Sequence, residues 1–178
     1  MPGASDDAAV RVLETPRLAL RRIAFQDADF MLELLNEPSF LRYVGDRGVR
    51  CVDDARRYIE TGPMASYARH GFGLFLTELK DSRDAIGICG LLKRDSLSHV
   101  DVGFALLPRY WSLGYAFEAA SAVLEYGRRE CALRRILAIT SPDNVPSIGL
   151  LAKLGFRFEQ MTRLTPEAPE VKLFASEP

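Results

Sequence analysis

The chain has only three cysteines, two histidines and one tryptophan, and each scarcity removes a class of function. An odd set of thiols, Cys51, Cys89 and Cys131, without CxxC spacing or neighbouring histidines, excludes a disulfide scaffold and gives no zinc-ligand pattern. They read as reduced. Cys89, inside the apolar run Ile86 to Leu92, reads as a small core residue rather than a nucleophile. His70 and His99 cannot be assembled into a Ser-His-Asp arrangement, and a lone histidine is more often structural. No run approaches the ~18 apolar residues of a membrane span, and the polar start of the chain has no signal-peptide core. The expectation is a cytoplasmic protein with no membrane partner and no metal. Charge of one sign is missing as well: at a formal net charge of −1, with acidic residues interspersed among the arginine pairs, no basic stripe favours nucleic acid.

What is present fits one compact domain of 178 residues, long enough to bury a core without staples. We expect a flexible leader over 1–10 and a single domain over 11–178. Leu18, Leu20 and Ile23 predict a first strand over 17–23, and Gln26-Asp27 opens a helix carrying Phe30, Met31, Leu34 and Leu35 on one face. Pro38 ends that helix and a polar, loop-like stretch follows. Val52 begins a second helical segment, interrupted at Gly62-Pro63. Runs 73–79 and 85–93 form a hairpin, and 99–107 is the next strand. Ala116, Ala119, Ala120, Val123, Leu124 and Gly127 then form one stripe of an amphipathic helix. A short strand (135–140), a short helix (144–154) and two strands (156–161 and 171–175) complete a mixed α/β sheet with some parallel pairing.

The loop between Pro108 and that amphipathic helix, Arg109 to Ala116, is the strongest functional signal. The first turn of a helix leaves N–H groups without partners and carries the positive dipole end, so a pyrophosphate can dock there without a charged side chain. Gly114 permits close approach. GxxxxGK[ST] is absent, which argues against an NTPase.

Several segments in order resemble the GNAT superfamily of acetyl-CoA-dependent N-acetyltransferases, in the Rim-type branch that includes ribosomal-protein N-terminal acetyltransferases. They are Glu14-Thr15-Pro16-Arg17-Leu18, Asp101-Val102-Gly103-Phe104, Trp111-Ser112-Leu113-Gly114-Tyr115-Ala116 with Glu118-Ala119, and Asn144-Val145-Pro146-Ser147 leading to Lys153-Leu154-Gly155-Phe156. Each alone is weak; their order and spacing are specific, and they cover nearly the whole chain. The resemblance implies a largely antiparallel α+β sheet with flanking helices and a splayed parallel strand pair at its centre. The pantetheine of acetyl-CoA would pair there with main-chain groups of Phe104 and Leu106. The pyrophosphate would meet the N–H groups from Trp111 through Ser112, Leu113, Gly114 and Tyr115 to Ala116. The chain departs from the branch at Ser112, where a glycine is usual.

Transfer to an amine needs a neutral amine, a polarised carbonyl and a proton for the leaving thiolate. Asp101 stands where many Rim-type relatives have Glu and alternates with Val100 and Val102, so it faces away from them, towards the side where the amine arrives. It can take the ammonium proton, the shorter side chain favouring a water between. The alternative is a salt-bridged strand carboxylate. By the resemblance Asn144 lies on the cofactor and Ser147 near its sulfur; both are also helix-capping residue types. Leu151 stands where many superfamily members have a tyrosine acid. An acyl-enzyme on Cys89 or Cys131 lacks a base.

Recognition of the acceptor falls to 40–50 and 62–71, where Tyr43, Arg47, Tyr67 and His70 are available. The function implied is transfer of an acetyl group to a primary amine by direct attack in a ternary complex, the acceptor being a protein or peptide N-terminus or a small amine. The alternative is a non-catalytic acyl-CoA sensor on the same scaffold. Edge strands near the C-terminus are where a homodimer would pair.

Overall fold

The computed structural model describes residues 10–178. Its strands are β1 (Arg11–Glu14), β2 (Leu18–Arg22), β3 (Leu74–Leu79), β4 (Ala85–Leu92), β5 (Asp101–Leu106), β6 (Ile136–Thr140), β7 (Arg157–Thr162) and β8 (Val171–Ser176). They form one sheet in the order β1-β2-β3-β4-β5-β6-β8-β7. Every neighbouring pair is antiparallel except β5 and β6, whose connection passes through a helix and so returns in the same direction. The helices are α1 (Ala28–Leu35), α2 (Pro38–Tyr43), α3 (Val52–Ile59), α4 (Ala65–His70), α5 (Tyr115–Arg129) and α6 (Val145–Lys153). The mixed α/β class and the central parallel pair are those expected.

Period-two alternation divides the core between the two faces of the sheet. Leu18, Leu20, Phe75, Leu91 and Val102 meet the α5 stripe of Ala119, Ala120, Val123 and Leu124 on one face. On the other, Leu74, Leu76, Ile88 and Leu107 pack with Met31, Leu34 and Leu35 of α1 and with Ala55 and Ile59 of α3. Each fully buried Val or Leu in these layers contributes roughly 1.5–3 kcal/mol relative to exposure. Asp27 and Glu78 both hold the guanidinium of Arg21, at 2.8 Å each, tying the start of α1 to β2 and β3.

Three elements differ from the sequence reading. β1 adds an edge strand before the first one expected, with too little apolar alternation in four residues to be seen, and the Arg22 N–H bonds the Val10 carbonyl at 3.1 Å. Of the leader expected over 1–10, residues 1–9 lie outside the described residues. Pro38 starts a helix rather than only ending one: it occupies the first turn of α2, where its missing N–H costs nothing. The Gly62-Pro63 interruption is a π-helical turn, Glu60–Met64, that joins α3 to α4 without ending the helix.

Candidate functional site

β5 and β6 meet at one register point, Asp101 opposite Leu137, beside a bond from the Leu137 N–H to the Val100 carbonyl at 2.9 Å. Past that point the strands are unpaired with each other, while β4 covers the far edge of β5 and β8 the far edge of β6. Backbone groups alternate between neighbours along a strand. Leu107 N–H points to β4, bonding Ile86 at 2.9 Å, and Val100 C=O points to β6, so Phe104 and Leu106 turn their main-chain groups into the opening. Two inner edges whose main-chain groups do not pair with each other thus face one another in a fork.

The bend that closes the wide end of the fork is held from both sides. The Trp111 indole donates to the Leu106 carbonyl at 2.8 Å, and the Trp111 N–H to the Pro108 carbonyl at 3.0 Å. Ser112 (φ +60°) and Gly114 (φ +83°) are both left-handed, a conformation in which a side chain such as that of Ser112 costs energy and a glycine does not. α5 makes its first bond from the Glu118 N–H to the Gly114 carbonyl at 3.1 Å, so the N–H groups of Tyr115, Ala116 and Phe117 have no intrahelical acceptor. They point to the mouth of the fork with the positive end of the helix dipole behind them.

A cleft of about 960 Å³ runs through this mouth. One wall is Phe104, Leu106, Trp111, Ser112, Gly114, Tyr115 and Ala116; α6 supplies the other with Asn144 and Ser147; and Phe40 and Tyr43 of α2 roof it. The Asn144 side chain caps α6, accepting the Ser147 N–H at 3.3 Å. The Ser147 hydroxyl is engaged by no side chain among the described residues.

Asp101 sits at the apex of the fork, not on the cleft lining, and is 1% exposed. Val100 and Val102 pack with the α5 cluster, which leaves the Asp101 side chain on the opposite face, as alternation requires. Arg94 Nε lies 3.0 and 3.2 Å from its two oxygens. Burial pushes this carboxyl up to about 6, against the downward pull of the Arg94 guanidinium.

The structure thus gathers Phe104, Leu106, Trp111, Ser112, Gly114, Tyr115, Ala116, Asn144 and Ser147 around one cleft. One of the expected donors needs correction. The Trp111 N–H is spent on Pro108, so Trp111 offers its ring and not its backbone; Leu113 is 52% exposed and does not line the cleft. The Leu106 carbonyl already accepts from the indole, which leaves its N–H. Leu151 is buried in the α5-side core, far from an acid's role. Of the candidates for acceptor recognition, Tyr43 lines the cleft. Tyr67 is structural, its hydroxyl accepting from the Ile23 N–H and donating to the Leu74 carbonyl, and His70 lines a separate cleft of about 260 Å³. Phe40 falls in the 40–50 segment expected to recognise the acceptor, whereas Phe117 went unseen because an apolar residue near the start of α5 carries no sequence signal that separates a cleft wall from core.

Compared with known proteins, residues 17–157 match the family described as the acetyltransferase (GNAT) domain. YoaA of Bacillus subtilis, an N-acetyltransferase by name, is 31% identical over 153 residues, covering 85% of this chain and 86% of its own. The crystal structure of a GNAT-family acetyltransferase from Bacillus anthracis superposes with a TM-score of 0.77 at 26% identity, over 93% of this chain and 97% of that one. RimL, a ribosomal L7/L12 alpha-N-protein acetyltransferase solved with coenzyme A, shares the fold at a TM-score of 0.80 and 15% identity, over 94% of this chain and 97% of its own.

Proposed function

The chain belongs to the GNAT acetyltransferase family, and on that premise we propose that it transfers an acetyl group from acetyl-CoA to a primary amine by direct attack in a ternary complex. The observation that carries this reading is the fork: facing strand edges whose main-chain groups do not pair with each other open onto a bend whose free N–H groups suit a diphosphate. The amide-bearing pantetheine chain has the donors and acceptors to pair with Phe104 and Leu106 as an added strand. When bound, acetyl-CoA supplies the thioester as the acyl donor.

The protein's own groups manage the protons. Asp101 stands at the apex where the strands part and, with its carboxyl at about 6, is ionised at neutral pH and basic enough to accept a proton from the incoming ammonium. Its burial means that the proton reaches it through a water. The Ser147 hydroxyl faces the cleft as a hydrogen-bond donor for the developing thiolate. Phe40 and Tyr43 bound the side from which the acceptor enters, a mix of apolar and hydroxyl surface that suits a peptide terminus or a small amine.

Thiol release from acetyl-CoA, measured in parallel against N-terminal peptides, amino acids and polyamines, tests the reading. Release with one acceptor class supports it and names the acceptor. Tight binding of coenzyme A with no release across the panel would make the chain a sensor instead.

A further inference from the structure

One side chain ties the start of β2 to the bend before α5. Arg17 donates through Nη1 to the Leu113 carbonyl at 3.0 Å and through Nε to Glu118 Oε2 at 2.6 Å. Its guanidinium carbon lies 4.4 Å from the centroid of the Tyr115 ring. Glu118 also accepts the Arg17 N–H at 2.9 Å and the Thr15 hydroxyl at 2.5 Å. Two segments about a hundred residues apart in sequence, Thr15-Pro16-Arg17 and Leu113 to Glu118, meet in this cluster.

We propose that Arg17 is a positioning residue for the acyl donor, holding the bend so that the N–H groups at the start of α5 face the diphosphate. The inference rests on the reading that this bend receives coenzyme A. Two independent features support it. Leu113 stands between two left-handed residues, Ser112 and Gly114, a conformation that persists only where the surroundings hold it. Trp111 holds the bend from the fork side, and Arg17, through the Leu113 carbonyl, holds it from outside. The second feature is charge. Glu118 lies in the first turn of α5, where a carboxylate suits the helix dipole but repels a diphosphate arriving at the same end. Burial works against its ionisation, yet the Thr15 hydroxyl and the backbone and guanidinium of Arg17 together hold its carboxyl below the usual range. Arg17 therefore balances a negative charge that the bend would otherwise present to its ligand, and Nη2 lies 3.2 Å from where a β-carbon on Gly114 would stand.

The test is steady-state kinetics with calorimetry of coenzyme A binding. Arg17→Ala is expected to raise KM for acetyl-CoA and the coenzyme A dissociation constant by about tenfold or more, with kcat within about twofold at saturation, the pattern of lost ground-state binding. Adding Glu118→Gln to that variant recovers part of the affinity by removing the bare carboxylate, a response that a purely structural role would not produce. Arg17→Lys falls between, because it restores charge but not the planar fork. Should the alanine variant not fold, Arg17→Gln, which keeps a donor for Leu113 without the charge, carries the same measurement. Unchanged KM and dissociation constant in a folded Ala or Gln variant would overturn the proposal alone. A wild-type protein that does not bind coenzyme A would overturn the reading beneath it.

Discussion

Arg94 meets Asp101 through one nitrogen, Nε, which both carboxylate oxygens share at 3.0 and 3.2 Å. A two-pronged fork would stabilise the ionised form more strongly. With a single shared donor the burial of Asp101 prevails, and its carboxyl rises from 3.8 to about 6. The same residue is the last point at which β5 and β6 pair, so a group tuned toward neutrality sits where the sheet opens.

Stability should register this shift. A carboxyl whose folded value lies above its unfolded one binds more protons in the native state, so the fold loses stability as pH rises from about 4 to about 6, by roughly 2–3 kcal/mol for this group. Below that window the contribution is fully present. Urea midpoints of wild type and Asp101→Asn across pH 4 to 7 check it: the wild type should weaken relative to the variant as pH rises. Parallel curves would remove the shift.

Activity should register it in the opposite sense. If Asp101 takes the amine proton, kcat/KM for the amine falls on the acid side with a limb near pH 6. Asp101→Asn should lower kcat by about 10²–10⁴-fold, lose that limb, and leave KM for acetyl-CoA within about twofold. An unaltered profile in the variant would return Asp101 to a structural ion pair.

The bend makes a local prediction. Ser112 holds φ +60°, so Ser112→Gly should be neutral or stabilising by up to about 1 kcal/mol, while Gly114→Ala, at φ +83° and against Arg17, should cost about 1 kcal/mol or more. Denaturant midpoints decide between them.

Much of this site was legible in the sequence because its signals are local. A strand ending at Pro108, a glycine at 114 and an apolar stripe from Ala116 to Gly127 announce a strand, a turn and a helix in a few residues. Alternation along 99–107 also settled the side that Asp101 faces. What stayed hidden depends on the third dimension. Nothing near Trp111 in sequence tells that its N–H is spent on Pro108 and its indole on Leu106. Arg17 and Glu118 lie 101 positions apart and each reads as an ordinary surface charge until the fold brings them together. The partner of Asp101 is Arg94, seven residues away across an irregular loop.

Direct attack predicts that no acyl-enzyme forms. Cys89 is fully buried, and that burial pushes its thiol well above the ordinary value, while Cys131 is also raised, by burial first. Intact mass after incubation with acetyl-CoA alone should show no acetyl adduct, and Cys51→Ser and Cys131→Ser should keep their activity. A stoichiometric adduct would require a two-step mechanism.

Trp111 is the one tryptophan of the chain, 44% exposed on the cleft wall, so its fluorescence reports on the bend without interference. Titration with coenzyme A should give a saturable change, and pantetheine, which fits the fork but lacks the diphosphate, should require a concentration at least about tenfold higher. An equal response to both, or no response to coenzyme A, would contradict a diphosphate held by the free N–H groups at the head of α5.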